Sequence, residues 1–278
     1  PKLNLKNPEV EKYITDVACY WIKECDIDGW RLDVGDEISH FFWKNFRKAV
    51  KAVKKDMLII GEIWHYAGDF LEGDEWDTVM NYPFYLNLID LLADEKITVS
   101  QFVQNLGYLK GRLHKNCYPL MWNLIDSHDT ARFLHLCNDN KKKQHLAAAF
   151  QLLLPGMPMI YYGDEYAMPG ANDPDCRRGM YWDEEYQDKE MYEWYKRLIQ
   201  VRKSHACIVE GELAGSVTED EEGTIVLIRK NGEETIAMIF NCSSSAKKFN
   251  EYTQKYNLLT ENTFDGNVEG FDAAVIVL

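Results

Sequence analysis

The sequence predicts an α/β fold: the C-terminal part of a (β/α)8 TIM barrel, with about five of its eight strands, followed by an all-β sandwich domain. Between about residues 26 and 204, short apolar runs alternate with amphipathic stretches, the pattern of parallel strands joined by helices. Asp33 and Glu62 end successive runs and lie 29 positions apart. That spacing is about one strand and helix, if about 250 residues form eight such units.

The barrel part starts with a helix predicted over residues 8–23, because Pro8 suits the first turn of a helix and Asn7 can cap it. A second helix is predicted over residues 38–53, where apolar side chains recur every three or four positions and lysines occupy the opposite face. The five predicted strands are residues 27–34, 57–63, 77–82, 120–125 and 157–162.

The chain changes character near Ser204, after a last predicted helix. Glu-Gly and Asn-Gly pairs separate the runs that follow, and such pairs favour tight turns between antiparallel strands. We therefore predict two domains, the barrel part in residues 1–204 and an antiparallel β-sandwich in residues 205–278. The predicted sandwich strands are residues 216–220, 224–229, 234–241, 247–250, 256–260 and 273–278.

Composition argues against several classes of partner. The 278 residues carry a formal net charge of −14, which disfavours binding to nucleic acid or to anionic lipid. No apolar run of about 18 residues is present, so no membrane span is predicted. The seven cysteines are odd in number and lack CxxC spacing, which favours reduced thiols over a zinc ribbon or disulfides. We therefore expect a cytoplasmic protein with neutral or cationic partners.

Candidate catalytic residues lie at strand ends, because barrel active sites form at the C-terminal ends of the strands. Arg31 and Asp33 share one side of the first strand, so the guanidinium is expected to keep the carboxylate ionised. A purely structural ion pair is the alternative. Glu62 ends the next strand among apolar and aromatic residues, which favours its protonated form. One ionised and one protonated carboxyl group on adjacent strands is what glycoside hydrolysis needs.

Two later strand ends are also polar. His128 and Asp129 follow the fourth predicted strand and could hold vicinal hydroxyls of a sugar; a metal site is less favoured, because no suitably spaced second histidine is present. Asp164 and Glu165 follow the fifth strand. This position fits two roles equally well, closure of the barrel and a contact at its rim. The sequence contains no phosphate-binding loop, dinucleotide fingerprint, HExxH or GxSxG motif.

Four segments, taken in order, closely resemble the later signature regions of the α-amylase family (glycoside hydrolase family 13). Within that family, Pro1-Lys2-Leu3-Asn4 resembles the signature of the neopullulanase, cyclomaltodextrinase and maltogenic amylase group, and residues 80–84 and 172–178 are similar to that group. The resemblance covers essentially the whole chain and corresponds to the C-terminal half of the family's enzymes. The four segments are residues 29–34 (GWRLDV), 61–64 (GEIW), 125–130 (IDSHDT) and 156–165 (GMPMIYYGDE).

The resemblance implies a role for each of three carboxylates. Asp33 is implied to be the nucleophile and Glu62 the general acid/base, while Asp129 fixes the sugar hydroxyls and favours the distorted transition state. The implied reaction is hydrolysis of α-1,4-glucosidic bonds with retention, on maltooligosaccharides, cyclodextrins or pullulan. No metal and no organic cofactor is needed for this chemistry, and calcium bound elsewhere in the parent enzyme stays open.

Further substrate contacts are implied in the same way. Arg31 and His128 are implied to contact the sugar at the cleaved bond. Asp173 and Arg177 are implied to contact the next glucose, and Trp64 to form a stacking wall on the acceptor side.

Several alternatives remain. Residues 34–37 are VGDE where the group commonly has Val-Ala-Asn-Glu, so the acceptor preference and the balance of hydrolysis against transfer stay open. A transglycosylase with the same carboxylates and a noncatalytic amylase-like sugar-binding protein are the rival functions. The family's N-terminal β-domain, first three strands, inserted loop domain and early Asp/Asn/His region are missing. We therefore expect little activity from this chain alone, and pairing with the missing N-terminal half of the barrel or self-association into a homo-oligomer.

Overall fold

The computed structural model describes residues 3–278, so Pro1 and Lys2 of the N-terminal signature lie outside the described residues. Contacts between Cα atoms divide the chain into two compact units. The first contains the residues up to Pro83 together with Leu109–Trp122, and the second contains Phe84–Tyr108 and Asn123–Leu278. The chain thus passes from the first unit to the second, returns to the first, and ends in the second.

A parallel sheet of three strands forms the centre of the first unit. Strand β1 (Gly29–Leu32) pairs with β2 (Leu58–Gly61), which also pairs with β3 (Thr78–Val79). Beyond β3, Met80 forms a parallel bridge to Trp122. The first three predicted strands are therefore confirmed in their order, although the hydrogen-bonded pairing covers only part of each predicted run.

Two helices pack on this sheet. Helix α1 (Pro8–Cys25) begins where the sequence predicts, with the Asn7 side chain capping its first turn. Helix α2 (His40–Val53) connects β1 to β2 and is capped by the Ser39 hydroxyl. Their apolar faces meet the strands in one buried cluster, since the apolar residues recur at helical spacing. Members of this cluster are Ala18, Ile22, Leu32, Phe42, Phe46, Val50 and Ile59.

The fourth and fifth predicted strands are β4 (Trp122–Leu124) and β5 (Met157–Met159), which pair with each other. Between them in the chain, helix α6 (Lys141–Leu153) is buried on almost all sides and forms much of the core of the second unit. The predicted last helix is confirmed as α7. The other helices are α3 (Tyr82–Leu88), which continues as a π-helical turn over Ile89–Ala93, α4 (Val99–Arg112), α5 (Phe133–Leu136), α7 (Lys189–Ser204) and α8 (Cys207–Glu210). Among residues 3–278, no helix combines the length and hydropathy needed to cross a membrane.

An antiparallel sheet of six strands occupies the C-terminal part of the second unit. Its strands are joined mostly by short turns, as the Glu-Gly and Asn-Gly pairs predict. In spatial order they are β11 (Asn262–Thr263), β10 (Tyr256–Asn257), β13 (Asp272–Val277), β8 (Glu234–Asn241), β7 (Thr224–Asn231) and β6 (Glu212–Glu219).

The two faces of this sheet have different neighbours, because alternate residues of a strand point to opposite faces. Leu227 belongs to the core shared with α6 and α7, whereas the adjacent Val226 belongs to a smaller cluster with Phe249. The second sheet consists only of β9 (Lys247–Lys248) and β12 (Asn267–Val268). The predicted antiparallel strands are present, but the sandwich is asymmetric, since helices rather than a second full sheet cover one face.

Candidate active site

Arg31 lies between two carboxylates at the C-terminal ends of β1 and β2. Leu32 and Gly61 are paired in the parallel sheet, so the residues that follow them, Asp33 and Glu62, come at neighbouring strand ends. Arg31 Nη1 donates a hydrogen bond to Asp33 Oδ1 (2.6 Å), and Arg31 Nη2 lies 2.5 Å from Glu62 Oε1. One guanidinium therefore contacts both carboxylates, and the structure brings together the three residues that the sequence selects here.

The two carboxylates differ in exposure. The side chain of Asp33 is 77% exposed and that of Glu62 only 4%. Glu62 Oε2 also accepts a hydrogen bond from the Val34 amide (2.9 Å). The expected apolar setting is thus wrong for the Glu62 carboxylate itself, because its oxygens meet a guanidinium and a backbone amide. Asp33 is open to a ligand, while Glu62 is held in one orientation.

The turn after β1 is tied to Glu62 through the main chain as well. Val34 has a φ of +45°, a left-handed conformation that is strained for a β-branched residue. The Gly35 amide donates to the Glu62 carbonyl oxygen (3.2 Å). Such strain costs about 1 to 3 kcal/mol and persists only where surrounding contacts fix the backbone, commonly at functional sites. The backbone beside Asp33 is therefore shaped by its bonds to Glu62.

Trp76, which the sequence did not single out, packs against the same turn. A Cβ atom on Gly35 would come within 2.7 Å of the indole, and one on Gly61 would overlap it. The ring also stacks on Phe70, with centroids 4.1 Å apart. The indole approaches so closely that both positions require glycine. In the sequence, the only sign of this contact is that the two glycines lie near the two carboxylates.

Trp64, the predicted stacking residue, rests on a buried aromatic ring. Its ring stacks on Tyr82, with centroids 4.3 Å apart and an interplanar angle of 13°. Tyr82 is fully buried, whereas Trp64 is 44% exposed. Tyr82 thus supports an indole whose remaining surface is accessible.

Four of the predicted contact residues form one cluster in the second unit. Arg177 Nη2 donates to Asp129 Oδ1 (3.1 Å), and Arg177 Nε donates to the His128 carbonyl oxygen (2.7 Å). Arg177 Nε also lies 2.8 Å from Asp173 Oδ1, and His128 Nε2 lies 3.1 Å from Asp129 Oδ2. Each oxygen of Asp129 therefore has a side-chain partner, and Arg177 contacts Asp129 directly.

A buried ion pair links the Asp129 segment to the residues after β5. Arg132 Nη1 donates to Asp164 Oδ1 (3.1 Å), and both side chains are fully buried. Of the two expectations for Asp164, a rim contact with substrate is therefore wrong, because its carboxylate is paired in the interior. The sequence pattern indicated no role for Arg132 or for the neighbouring buried Asp126, although Asp126 directly follows an apolar run.

The structure also bears on metal binding and on thiol chemistry. Residues 3–278 contain no group of three or more His, Cys, Asp or Glu side chains arranged to hold a metal ion. The seven cysteines are free thiols. Burial raises the pKa of the Cys137 thiol to about 12 and also raises those of Cys117 and Cys242. These buried thiols are therefore unsuited to act as nucleophiles.

Comparison with known proteins gives a family match over most of the chain. The family described as alpha amylase, catalytic domain, matches residues 1–211. A cyclomaltodextrinase from Geobacillus thermopakistaniensis (strain MAS1) is 46% identical over 246 residues, which are 88% of this chain and 42% of that enzyme. An intracellular maltogenic amylase from Bacillus subtilis is 44% identical over 242 residues, 87% of this chain and 41% of that enzyme. The chain thus spans less than half the length of these curated relatives.

A solved cyclomaltodextrinase structure matches with a TM-score of 0.93 and 35% identity, covering 99% of this chain and 50% of that one. This match supports a TIM-barrel-type α/β fold with a C-terminal β-sheet domain. The resemblance to the neopullulanase, cyclomaltodextrinase and maltogenic amylase group is confirmed, since relatives with these three names match most of the chain. The chain belongs to the α-amylase family.

Proposed function

We propose that the enzyme containing this chain hydrolyses α-1,4-glucosidic bonds of maltooligosaccharides, cyclodextrins or pullulan with retention of configuration. The contact of Arg31 with both Asp33 and Glu62 is the main support. Carboxyl groups bridged by one guanidinium lie close together, in keeping with the separation of about 5 to 5.5 Å in retaining enzymes rather than the about 6.5 to 9.5 Å of inverting ones. The family and the names of the relatives support the substrate class.

Asp33 is the nucleophile and Glu62 the acid/base in this proposal. The Asp33 carboxylate attacks the anomeric carbon and forms a glycosyl ester, while the bond to the leaving oxygen breaks and that oxygen takes a proton from Glu62. Water then attacks the anomeric carbon, Glu62 takes a proton from the water, and the bond to Asp33 breaks. Arg31, hydrogen-bonded to Asp33 and ion-paired with Glu62, keeps their relative positions and contacts the sugar at the cleaved bond.

The cluster in the second unit is proposed to bind the sugar. Asp129 accepts hydrogen bonds from the hydroxyls of the glucose that is attacked and so favours its distorted ring. His128 contacts the same glucose, and Arg177 and Asp173 contact the next one; the Arg177 bond to Asp129 orients that carboxylate. Trp64 offers its exposed indole surface to a glucose on the acceptor side.

Trapping the covalent intermediate tests this assignment. A fluorinated glucosyl donor should leave a glycosyl ester on the peptide that contains Asp33, detected by mass spectrometry, and Asp33→Asn should stay unlabelled. A noncatalytic sugar-binding protein of the same fold would bind maltotriose without acquiring the label. Product analysis with maltotriose separates a hydrolase from a transglycosylase, because transfer yields longer products.

We also propose that residues 1–204 supply five strands of a (β/α)8 barrel, with residues 205–278 as a C-terminal domain, and that an N-terminal half supplies the other strands. In the described residues β1 pairs only with β2, which leaves one edge unpaired. A cavity of about 470 Å³ borders the turn that follows β1 and is lined mainly by apolar side chains, together with Asp33 and Glu37. Exposed aromatic residues of α1 add a further apolar surface of the kind that a partner covers; these are Tyr13, Tyr20 and Trp21.

An assay on maltotriose and γ-cyclodextrin, with and without that N-terminal half, tests the proposed barrel. The chain alone should show little turnover, because a misplacement of about 1 Å can already cost about a hundredfold in rate. Equal turnover by the isolated chain and by the reconstituted enzyme would contradict it. Gel filtration shows whether a second copy of the chain, rather than the N-terminal half, covers the unpaired edge of β1. The active form is whichever of the two, the isolated chain or the reconstituted enzyme, turns over substrate.

We propose a cytoplasmic enzyme that acts on short oligosaccharides and cyclodextrins rather than on starch granules. The seven free thiols suit a reducing compartment, and one relative is named an intracellular enzyme. Comparable rates on cyclodextrin and on insoluble starch would contradict this substrate preference while leaving the family assignment intact.

A further inference from the structure

Asp126 and Asp164 form a carboxyl pair in the interior of the second unit. Both are fully buried. Asp126 Oδ1 accepts a hydrogen bond from the Phe133 amide (2.5 Å). Asp164 accepts bonds from Arg132 Nη1 (3.1 Å) and from the Tyr161 amide (3.2 Å). Among the described residues, Asp126 Oδ2 is buried without a hydrogen-bond donor, and the two carboxyl groups lie close enough to affect each other's ionisation.

Two carboxyl groups buried close together favour one proton between them. An ionised carboxylate can only accept hydrogen bonds, so a hydrogen bond between the two groups forms only when one of them is protonated. Two buried negative charges beside the single charge of Arg132 would also leave one charge uncompensated. Burial, followed by the charge of Asp164, raises the pKa of Asp126 well above its ordinary value. Burial likewise raises the pKa of Asp164 to about 7, against the opposing effects of Asp126 and Arg132.

Apart from Arg132, which favours ionisation, the groups that face this pair favour retention of the proton or bring no charge. Arg132 is the cation in contact with it. Tyr195 of α7 stays neutral, because burial and then the two carboxyl groups raise its pKa well above the ordinary value. Glu165 adds a further negative charge, and Cys137 remains a thiol. Gln144 of α6 donates to the backbone of the pair (3.0 Å) and brings no charge.

The pair also closes the loop that carries a proposed substrate contact. The bond from Phe133 to Asp126 joins the two ends of this loop. Inside the loop, the Asp129 amide donates to Ser127 Oγ (3.2 Å), and the Ser127 amide donates to Thr130 Oγ1 (3.1 Å). The position of Asp129 therefore depends on the orientation of the Asp126 carboxyl group.

We propose that Asp126 and Asp164 share one proton beside Arg132, and that this shared proton holds the loop of Asp129 in its substrate-binding position. Asp126 is then a positioning residue, since it acts through Asp129. The effect on activity rests on the proposed function, whereas the shared proton does not.

Loss of the shared proton destabilises the folded chain at alkaline pH. The folded chain binds this proton more tightly than the unfolded chain, whose aspartates have a pKa of about 3.9. The stabilisation is therefore complete below that value, declines as the pH rises above it, and is gone once the pH has passed the folded-state pKa values, of which that of Asp164 is about 7.

Three variants of the 278-residue chain test the proposal through thermal unfolding from about pH 6 to about pH 10. Asp126→Asn replaces the shared proton with a permanent amide donor and keeps an oxygen for the Phe133 amide, whereas Asp126→Ala removes both. Asp139→Asn is the matched control, because Asp139 is exposed and nearby in the chain. The alkaline midpoint is the pH at which half of the loss of Tm at high pH has occurred, and Asp126→Asn should raise it by about one pH unit or more. Asp126→Ala should lower Tm at every pH. The control should match the wild type.

An unchanged alkaline midpoint in Asp126→Asn would overturn the shared proton. In the active form, Asp126→Asn should move the alkaline limb of the kcat/KM profile in the same direction, and an unmoved limb would overturn the positioning role. If no form turns over substrate, the proposed function fails, while the unfolding experiment still decides the shared proton.

Infrared spectroscopy gives a second measurement, and its result for the wild-type chain does not depend on how well the variants fold. The carbonyl band of a protonated carboxyl group should persist at pH 7 and disappear in Asp126→Asn. Glu75→Gln identifies the contribution of Glu75, another buried carboxyl group whose pKa is raised by burial. Absence of any such band at pH 7 in the wild type would overturn the proposal.

Discussion

Arg31 and the buried Glu62 meet at the C-terminal end of the parallel sheet in the first unit, with Arg31 Nη2 2.5 Å from Glu62 Oε1. The other end of the same guanidinium bonds to the exposed Asp33. A planar guanidinium can serve two acceptors at once, whereas an ammonium group is a single point charge. The relative placement of the two proposed catalytic carboxylates therefore depends on Arg31.

Arg31→Ala should destabilise the chain and abolish most activity. Removing the partner of buried Glu62 should lower the free energy of unfolding by about 2 kcal/mol, less than the about 3 to 5 kcal/mol of a fully buried pair, because Arg31 is partly exposed. In the active form kcat/KM should fall by about 100-fold or more. Arg31→Lys should give values of the free energy of unfolding, measured in urea, and of kcat/KM that lie between those of the wild type and of Arg31→Ala. As a control, Arg178→Ala breaks an exposed ion pair with Asp175 and should lower the free energy of unfolding by less than Arg31→Ala does. Wild-type behaviour of Arg31→Lys would contradict the bridging role.

Gly61→Ala should disturb the site through Trp76. The added methyl group overlaps the indole, so the ring or β2 must move, at a cost of about 1 to 3 kcal/mol. Movement of β2 displaces Glu62, so the active form should also lose kcat. Gly107→Ala is the matched control, because it lies within α4 with no atom near its added Cβ, and it should stabilise the chain by up to about 1 kcal/mol. Equal melting temperatures for the two variants would contradict the argument.

Strand ends could be predicted from the sequence because their pattern is local. Apolar runs at a regular spacing locate β1 and β2, and the alternation within the first run puts Arg31 and Asp33 on one side. The parallel register then follows from the fold class, and it brings Glu62 to the same sheet end. Capping by Asn7 was predictable for the same reason, since a cap depends on neighbouring residues only.

Contacts between distant residues could not be predicted in this way. Arg132 and Asp164 are 32 positions apart, and no local pattern indicates that both are buried and paired. The approach of Trp76 to Gly61 depends on how the segment after β2 folds back. The surroundings of Glu62 were mispredicted for a related reason: its chain neighbours are apolar, but its carboxylate meets a side chain from the adjacent strand.

Asp188 should stabilise the chain at neutral pH and lose that effect in acid. It caps α7 by accepting from the Met191 amide (2.9 Å) and pairs with Lys141 Nζ (2.6 Å). Burial opposes ionisation, but Lys141 and the Met191 amide outweigh it and lower the pKa of Asp188. A lowered folded-state pKa contributes stability above the unfolded value of about 3.9, and this is lost as the pH falls through the folded one.

Asp188→Ala should therefore lower the free energy of unfolding by about 1 to 2 kcal/mol at pH 7 and by much less in strong acid. Urea unfolding at several pH values measures this difference. Asp188→Asn retains the cap and should lose only part of the stability. A difference between Asp188→Ala and the wild type that is the same at every pH would show that the charge of Asp188 has no role.

Trp64→Ala should weaken binding of substrates that extend to the acceptor side. Buried Tyr82 holds the indole in place, so a sugar ring can stack on it with little loss of side-chain freedom. In the active form KM for maltotriose should rise by about tenfold, since one good stacking contact contributes about 1 to 1.5 kcal/mol. Trp64→Phe should retain part of the effect because it keeps an aromatic face. Trp182 is 81% exposed, and Trp182→Ala is the control that should leave KM unchanged. An increase in KM of the same size in both variants would mean that loss of an exposed indole anywhere weakens binding, and would remove the argument for Trp64 as a specific contact.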